Sequence, residues 1–163
     1  MIKVIGAAMT GFACAYFGIR LSTSLKKRAE SLGDIRASLE LLESEINFSV
    51  NKLKKAFIRI DRNGLFTLAA ENLDGNGAKK AWNDALDAMQ SKLCLSGADV
   101  DVLKMFGQNI GKTDTDDQLK NIRYIKTLIA EQEKQARAEY DRFGRLYRSG
   151  GVLAGLLVVI VLI

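Results

Sequence analysis

The apolar carboxyl end of the chain is the feature that most constrains its fold. The fourteen residues 150–163, with the sequence GGVLAGLLVVIVLI, carry no charged or strongly polar side chain. A soluble core helix normally has a polar stripe and a capped exit, and neither is present here. A helix of this length covers about 21 Å, which is less than the ~30 Å hydrocarbon core of a bilayer. We therefore predict a short C-terminal transmembrane anchor over residues 150–163, helped by Leu146 and Tyr147 or by local bilayer thinning.

A second apolar stretch covers residues 1–21 and is interrupted only by Lys3 and Arg20, close to its two ends. Because long cationic side chains at the ends of a span reach the interface, we predict an N-terminal transmembrane helix over residues 1–21. Its glycines and alanines form small faces that allow close approach to the other span or to a partner. A cleaved signal peptide is the alternative, because Ala13-Cys14-Ala15 has the composition of a cleavage site, but the residues before Cys14 fit a lipoprotein signal poorly.

Basic residues lie between the two spans, close to each of them. Three follow the first span and three precede the second, whereas Lys3 alone lies at the outer ends; the six are Lys26, Lys27, Arg28, Arg142, Arg145 and Arg148. The positive-inside rule therefore predicts that residues 22–149 form a cytoplasmic domain. Much of the net charge of +5 belongs to these six residues, which lie where anionic lipid head groups attract positive charge. The other basic run, residues 52–55, has no interleaved aromatic residues for base stacking, so we expect membrane lipid and no nucleic acid as a partner.

The composition excludes most catalytic chemistry. The chain contains no histidine, which removes Ser-His-Asp and Cys-His catalysis and the zinc helix motif. Its two cysteines, Cys14 in the first span and Cys94 in the soluble part, form neither a disulfide nor a metal site, and Cys94 is interpreted as a small apolar core residue. We expect no catalytic residue, cofactor or metal. The absence of proline from all 163 residues favours helices throughout.

Residues 22–149 have the periodicity of a helical bundle, which predicts an all-α fold. One apolar stripe comprises Leu32, Ile35, Leu39, Leu42 and Ile46. Further helices are predicted over about residues 50–61 and 65–73, followed by a loop at residues 74–77. Trp82 is the predicted structural anchor of the next helix, and Ser96 caps a helix that carries Val100, Leu103, Met105 and Phe106. The longest helix should run from about residue 114 to about residue 147, and Gly150-Gly151 would then allow a bend.

Residues 112–118, with the sequence KTDTDDQ, are the only constellation that suggests chemistry. Three carboxylates within five residues can bind a divalent cation or donate a proton. A calcium loop requires glycine at its sixth position and glutamate at its twelfth, where this chain has Leu119 and Ile125. Acidic residues in a first turn more simply cap the helix and oppose its dipole. We predict a cap and a polar partner-binding surface formed by Lys112, Asp114, Asp116, Asp117 and Gln118.

The order of these parts resembles the stage III sporulation protein AB family of endospore-forming bacteria. The resemblance covers the whole chain and rests on these runs: Ile5-Gly6-Ala7, Phe17-Gly18-Ile19-Arg20, residues 39–48 (LELLESEINF), Ala81-Trp82, residues 106–111 (FGQNIG) leading to Asp114 and Gln118, and the tail from Gly151. Asn51-Lys52-Leu53 departs from the family, which often has a proline before the leucine. This departure affects the turn between the first two helices of the domain and leaves the fold intact.

The resemblance implies a six-helix cytoplasmic bundle between two transmembrane helices, similar to the cytoplasmic domain of the F-type platform proteins of type II secretion. Such proteins are not enzymes and join a cytoplasmic ATPase to membrane components. The expected partners are the secretion-type ATPase of a sporulation channel and other membrane proteins of the same operon. The expected location is the outer forespore membrane, with the bundle on the mother-cell side.

Two other classes of function remain as alternatives. A membrane enzyme would need a polar cluster near the bilayer, and no such set is evident in a chain without histidine. A homo-oligomeric pore component would need polar faces along its spans, where only Thr10 and a few small residues qualify. A generic two-span scaffold with an unidentified partner is the broader form of the same prediction.

Overall fold

The computed structural model describes residues 2–45, 53–110 and 115–162, and their side chains except at residues 2–5, 7, 8, 45, 74–76, 115 and 162. These residues form six helices and contain no strand, which confirms the all-α prediction. The helices are α1 (Ile2–Glu45), α2 (Leu53–Ile60), α3 (Leu65–Glu71), α4 (Leu73–Met89), α5 (Gly97–Asn109) and α6 (Thr115–Leu162).

The helices are distributed over two compact units. The first unit, which we call the helical hairpin, consists of Met1–Ala29 and Gln135–Ile163 and so contains the outer parts of α1 and α6. The second, the bundle unit, consists of Glu30–Lys134 and contains the inner parts of these two helices with α2 to α5 between them in the chain. Both long helices therefore contribute to both units.

The core of the bundle unit is an aromatic cluster surrounded by aliphatic stripes. Phe57, Phe66, Trp82 and Phe106 come from four different helices and are fully buried or nearly so. The Trp82 ring lies 4.9 Å from the Phe106 ring and 5.1 Å from the Phe66 ring, centroid to centroid, within the range of favourable aromatic pairs. The predicted α1 stripe is buried at Leu32, Ile35, Leu39 and Leu42, as are Ile122, Ile125 and Ile129 of α6.

Trp82 lies against a glycine and satisfies its own polar atom. Its Nε1 donates a hydrogen bond of 2.7 Å to the Leu103 carbonyl oxygen of α5. Gly107 lies one turn further along α5, where an added Cβ would meet the indole ring, 3.1 Å from Cγ and 3.3 Å from Nε1 and closer still to Cδ1. The indole can therefore reach the α5 backbone only because residue 107 has no side chain.

The connection between α2 and α3 is organised by buried polar groups. The Ser38 hydroxyl donates to the Ile60 carbonyl at 2.8 Å and so satisfies the last residue of α2. Asp61 accepts from the amides of Asn63, Gly64 and Thr67 at 3.0–3.2 Å. Burial raises the pKa of the Asp61 carboxyl, but the hydrogen bonds from Thr67 and from the loop amides outweigh it, so the net pKa lies below the usual value.

The predicted loop at residues 74–77 is wrong as an extended connection. These residues belong to α4, which is interrupted only at Gly77, with φ 72° and ψ 152°. Almost only glycine adopts this combination of φ and ψ. A kink at the single residue Gly77 is therefore found where the composition of the segment predicts a loop. Helix α3 ends at Glu71, close to the predicted end at residue 73.

Cys94 is not the core residue that the sequence analysis expected, since it is half-buried and lies in a turn. Its φ is 56°, the left-handed conformation. The Leu95 amide donates to the Gln90 carbonyl at 3.0 Å and the Cys94 amide to the Ser91 carbonyl at 3.3 Å. This pair of bonds is the Schellman arrangement that ends helices, with Cys94 at the position where glycine is usually found.

The remaining helix boundaries follow the sequence closely. Ser96 caps α5 as predicted: its hydroxyl accepts from the Asp99 amide, and the Asp99 carboxylate accepts from the Ser96 amide. Met105, which was grouped with the buried residues of this helix, is exposed. Helix α6 continues without interruption through Gly150-Gly151 to Leu162, so the expected bend does not break the helix.

We expect Gly107→Ala to lower the free energy of unfolding by about 1–3 kcal/mol, because the new methyl group displaces the Trp82 indole. Gly97→Ala is the matched control, since the same change at the exposed start of α5 meets nothing within 4 Å. Thermal unfolding of the full chain in detergent measures both. Equal melting temperatures for the two variants would contradict the close contact.

Candidate functional site

The helical hairpin is held together by glycines that face one another across α1 and α6. A Cβ added at Gly18 would meet the Tyr147 carbonyl oxygen and lie 2.9 Å from the Gly151 Cα. A Cβ at Gly155 would lie 2.6 Å from the Gly11 carbonyl oxygen. The two backbones are therefore in direct contact at two levels, which is the packing that small residues permit between membrane helices. The structure shows that the two apolar segments pair with each other.

The outer surface of the helical hairpin is apolar and exposed. On α1 the exposed fraction is 78% for Phe12 and 69% for Phe17, and on α6 it is 76% for Ile160. By length and composition, one helix among the described residues can cross a membrane: Asp116–Val161, within α6. Only 11% of its apolar window is buried, which is the exposure expected of a surface that faces lipid.

Ion pairs connect the same two helices in the bundle unit. The Glu43 carboxylate of α1 accepts from Arg123 Nε at 2.6 Å and from Lys126 Nζ at 2.7 Å. These hydrogen bonds from Arg123 and Lys126 hold the pKa of Glu43 below its usual value, against the opposing effect of desolvation. Further along, Arg36 donates to the nearly buried Glu133 at 2.7 Å. The α1–α6 contact in this unit is therefore partly electrostatic.

The residues predicted to bind a partner are only partly described. Lys112 and Asp114 lie outside the described residues, so the predicted cap at Asp114 does too. Asp116 and Asp117 are exposed in the first turn of α6, where negative charge opposes the helix dipole. Asp117 pairs with Lys120 at 3.4 Å on the same exposed helix face.

Gln118 differs from its acidic neighbours because it is half-buried beside a small crevice in the bundle unit. The crevice also includes Phe106 and Ile122, and its polar rim holds Asn109 and Asn121, whose side chains share a hydrogen bond of 3.3 Å. Its lining is mainly apolar and contains no titratable side chain. The crevice has a volume of about 10 Å³, room for about one water, and it provides no group for acid–base chemistry.

The sequence is matched from residue 3 to residue 163 by the profile of the family described as Stage III sporulation protein AB. The chain belongs to this family. A relative from Bacillus subtilis (strain 168), also named Stage III sporulation protein AB, is 29% identical over 170 residues, covering 99% of each chain. A solved structure of Stage III sporulation protein AB superposes with a TM-score of 0.64 at 29% identity, covering 70% of this chain and 96% of the other. Neither name is that of an enzyme, and family membership supports a sporulation-related role.

Two sets of ion pairs between α1 and α6 were not recognised from the sequence. The Glu43 ion pairs join residues about 80 positions apart, and Arg28 donates to Glu139 at 2.8 Å across the helical hairpin. Arg28 was counted only as a juxtamembrane charge, although its side chain is 12% exposed and is neutralised by this glutamate. Spacing along one helix reveals nothing about such pairs. Knowledge that α1 and α6 run antiparallel would have identified the candidates.

We expect Glu43→Gln to lower the free energy of unfolding by about 1 kcal/mol at neutral pH, because Arg123 and Lys126 both lose their charged acceptor. Since the folded pKa is depressed, this stabilisation is present above the unfolded value of ~4.3 and is lost as the pH falls through the folded pKa. The difference between wild type and variant should therefore shrink on acidification.

Denaturant unfolding of the full chain between neutral and acid pH measures this difference. Glu71→Gln is the control, because Glu71 is an exposed glutamate at the end of α3. A Glu43 variant that tracks the Glu71 variant at every pH would show that the ion pairs contribute no stability.

Proposed function

We propose that this chain is a non-enzymatic membrane platform of a sporulation channel between the mother cell and the forespore. In this proposal the helical hairpin lies in the outer forespore membrane and the bundle unit lies in the mother-cell cytoplasm. The bundle unit docks a secretion-type ATPase, and other membrane proteins of the same operon complete the assembly. The observation that carries the proposal is the glycine-packed helix pair with an exposed apolar exterior.

The pairing supports insertion of both helices. Gly151 and Gly155 belong to the apolar end of α6, and they contact Gly18 and Gly11 of α1. A helix in direct backbone contact with a membrane span lies at the same depth in the bilayer. The exposed Met9, Phe12 and Phe17 side chains of α1 then face lipid. On this argument residues 1–21 form the second transmembrane helix.

The distribution of charge supports a cytoplasmic bundle unit. Six basic residues flank the apolar segments on the side of the bundle unit, and Lys3 alone lies at the other ends. Arg28 pairs with Glu139, but the positive-inside rule counts Lys and Arg residues whether or not a carboxylate lies beside them. Tyr16 and Tyr147 are exposed aromatic residues of the kind found at membrane interfaces.

The orientation is tested by cysteine accessibility. Lys79 is exposed on α4, so Lys79→Cys in a background of Cys14→Ala and Cys94→Ala places one reactive thiol on the bundle unit. We expect a membrane-impermeant thiol reagent to label it only after the cells are permeabilised. Both variants are produced in vegetative cells, where the chain lies in the cell membrane, and the control carries its single cysteine appended after Ile163, where labelling of intact cells is expected. Labelling of the Lys79 position in intact cells would contradict the orientation.

The proposed docking surface is the acidic start of α6 together with Gln118. The exposed charges of this surface are suited to recognition of a protein partner. Asp116 and Asp117 present two carboxylates to solvent beside the Gln118 crevice. Lys112 and Asp114 precede these residues in the sequence and lie outside the described residues. The polar and acidic character of the surface suits a basic patch on the ATPase.

Charge reversal tests this surface. Asp116→Lys with Asp117→Lys should reduce recovery of the ATPase with the chain from sporulating cells by about tenfold, because opposite charges are replaced by like charges. Asp84→Lys with Asp101→Lys is the matched control, with equal charge change at exposed positions on α4 and α5. Equal recovery of the ATPase with both double variants would show that the ATPase binds elsewhere on the bundle unit.

A pore formed by copies of this chain is not favoured by the polar groups of the helical hairpin. Thr10, the polar residue within the first apolar segment, donates its hydroxyl to the Gly6 carbonyl of its own helix at 2.8 Å. A hydroxyl bonded in this way is compatible with a lipid or protein environment and does not require a water-filled lumen.

A further inference from the structure

The helical hairpin contains a polar pocket between α1 and α6, at its basic end. The pocket has a volume of about 240 Å³, and its lining residues are Ile19, Ser22, Thr23, Lys26, Tyr140 and Arg148. One cation comes from each helix, and the lining includes no carboxylate. With ~30 Å³ for each water, the volume admits about eight waters or a phosphate with an attached polar group. Arg148 gives the pocket a guanidinium that can contact an anion.

The hydroxyl groups of the pocket are placed by packing within the helical hairpin. Gly144 is buried, and a Cβ there would lie 2.7 Å from the Tyr140 ring and 3.6 Å from Ser22 Oγ. The absence of a side chain at residue 144 therefore lets the Tyr140 ring lie flat against α6, close to Ser22. Thr23 donates its hydroxyl to the Ile19 carbonyl at 2.8 Å, which leaves Tyr140 and Ser22 as the hydroxyl donors for an occupant.

The pocket adjoins the apolar surface of the same unit. Ser22 lies one turn beyond Gly18, and Arg148 lies one turn before the glycines of α6, so the pocket begins where the glycine contact ends. Close in sequence to the lining residues, Phe17, Leu21 and Leu146 expose large apolar side chains. An occupant that carries an anionic group and apolar chains matches both surfaces, whereas a free anion uses only the pocket.

We propose that this pocket binds the headgroup phosphate of an anionic phospholipid, whose acyl chains lie along the exposed apolar side chains of the helical hairpin. Arg148 and Lys26 contact the phosphate charge, since a guanidinium can donate two parallel hydrogen bonds to it. Tyr140 and Ser22 donate to the remaining oxygens. A zwitterionic headgroup brings its own cation close to these two and is disfavoured. The inference rests on the proposed membrane insertion of both helices.

The test uses the full chain in detergent, titrated with phosphatidylglycerol or phosphatidylcholine, with bound lipid counted by native mass spectrometry. We expect Lys26→Ala with Arg148→Ala to weaken phosphatidylglycerol binding about tenfold more than Lys27→Ala with Arg145→Ala, because the second pair contributes only diffuse attraction. Both double variants remove the same charge from the same region. Tyr140→Phe, which removes one donor and keeps the ring, should weaken binding severalfold.

Three results would overturn the lipid site. Equal losses of phosphatidylglycerol affinity in the two double variants would mean that the lipid is held by diffuse attraction. Equal binding of phosphatidylcholine would mean that the pocket has no headgroup preference. Displacement of the lipid by millimolar inorganic phosphate would mean that the pocket is a site for a free anion. Vesicle flotation separates this inference from the function on which it rests. A chain that does not float with vesicles contradicts membrane insertion, whereas a chain that floats without headgroup preference contradicts only the lipid site.

Discussion

Direct backbone contact between α1 and α6 is the constraint on which the helical hairpin depends. Gly18 and Gly151 approach so closely that any side chain at either position would strike the opposite helix. In lipid there is little hydrophobic force to bring two apolar helices together, so their association comes from the close van der Waals contact that glycine permits. Large apolar side chains such as Phe12, Phe17 and Ile160 remain exposed, where lipid can cover them.

At its centre the bundle unit also depends on a glycine that permits close packing, and at its periphery it depends on ion pairs. Gly107 admits the Trp82 indole to the α5 backbone, and the indole nitrogen finds an acceptor there, so the largest core residue leaves no polar atom unsatisfied. At the periphery, Glu43 and Glu133 tie α1 to α6 through charged hydrogen bonds. Ion pairs with an exposed partner contribute only modest net stability.

The sequence predicted those features that depend on neighbours along one helix. The apolar stripe from Leu32 to Leu42, the cap at Ser96 and the pairing potential of the glycine-rich segments all follow from local spacing and appear in the structure. Features that depend on three-dimensional proximity were missed. Lys26 and Arg148 are more than one hundred positions apart, so nothing in the sequence places them at one pocket.

The other errors came from residues in unusual backbone conformations. The chemistry of its side chain predicts Cys94 as a small apolar core residue. In the structure it occupies a turn position with a left-handed backbone conformation, which the residues beside it in the sequence do not indicate. The turn-rich composition of residues 74–77 suggested a loop, although Gly77 alone departs from helical geometry. In both segments a helix end or kink is decided by one residue, whereas composition averages over several.

The burial of Trp82 also makes it a built-in optical reporter. It is the only tryptophan of the chain, and it lies in the aromatic cluster of the bundle unit. An indole that is removed from water and held between aromatic rings differs in emission from one that is hydrated. The fluorescence of the unmodified chain in vesicles therefore reports on the folding of the bundle unit alone, without interference from the helical hairpin.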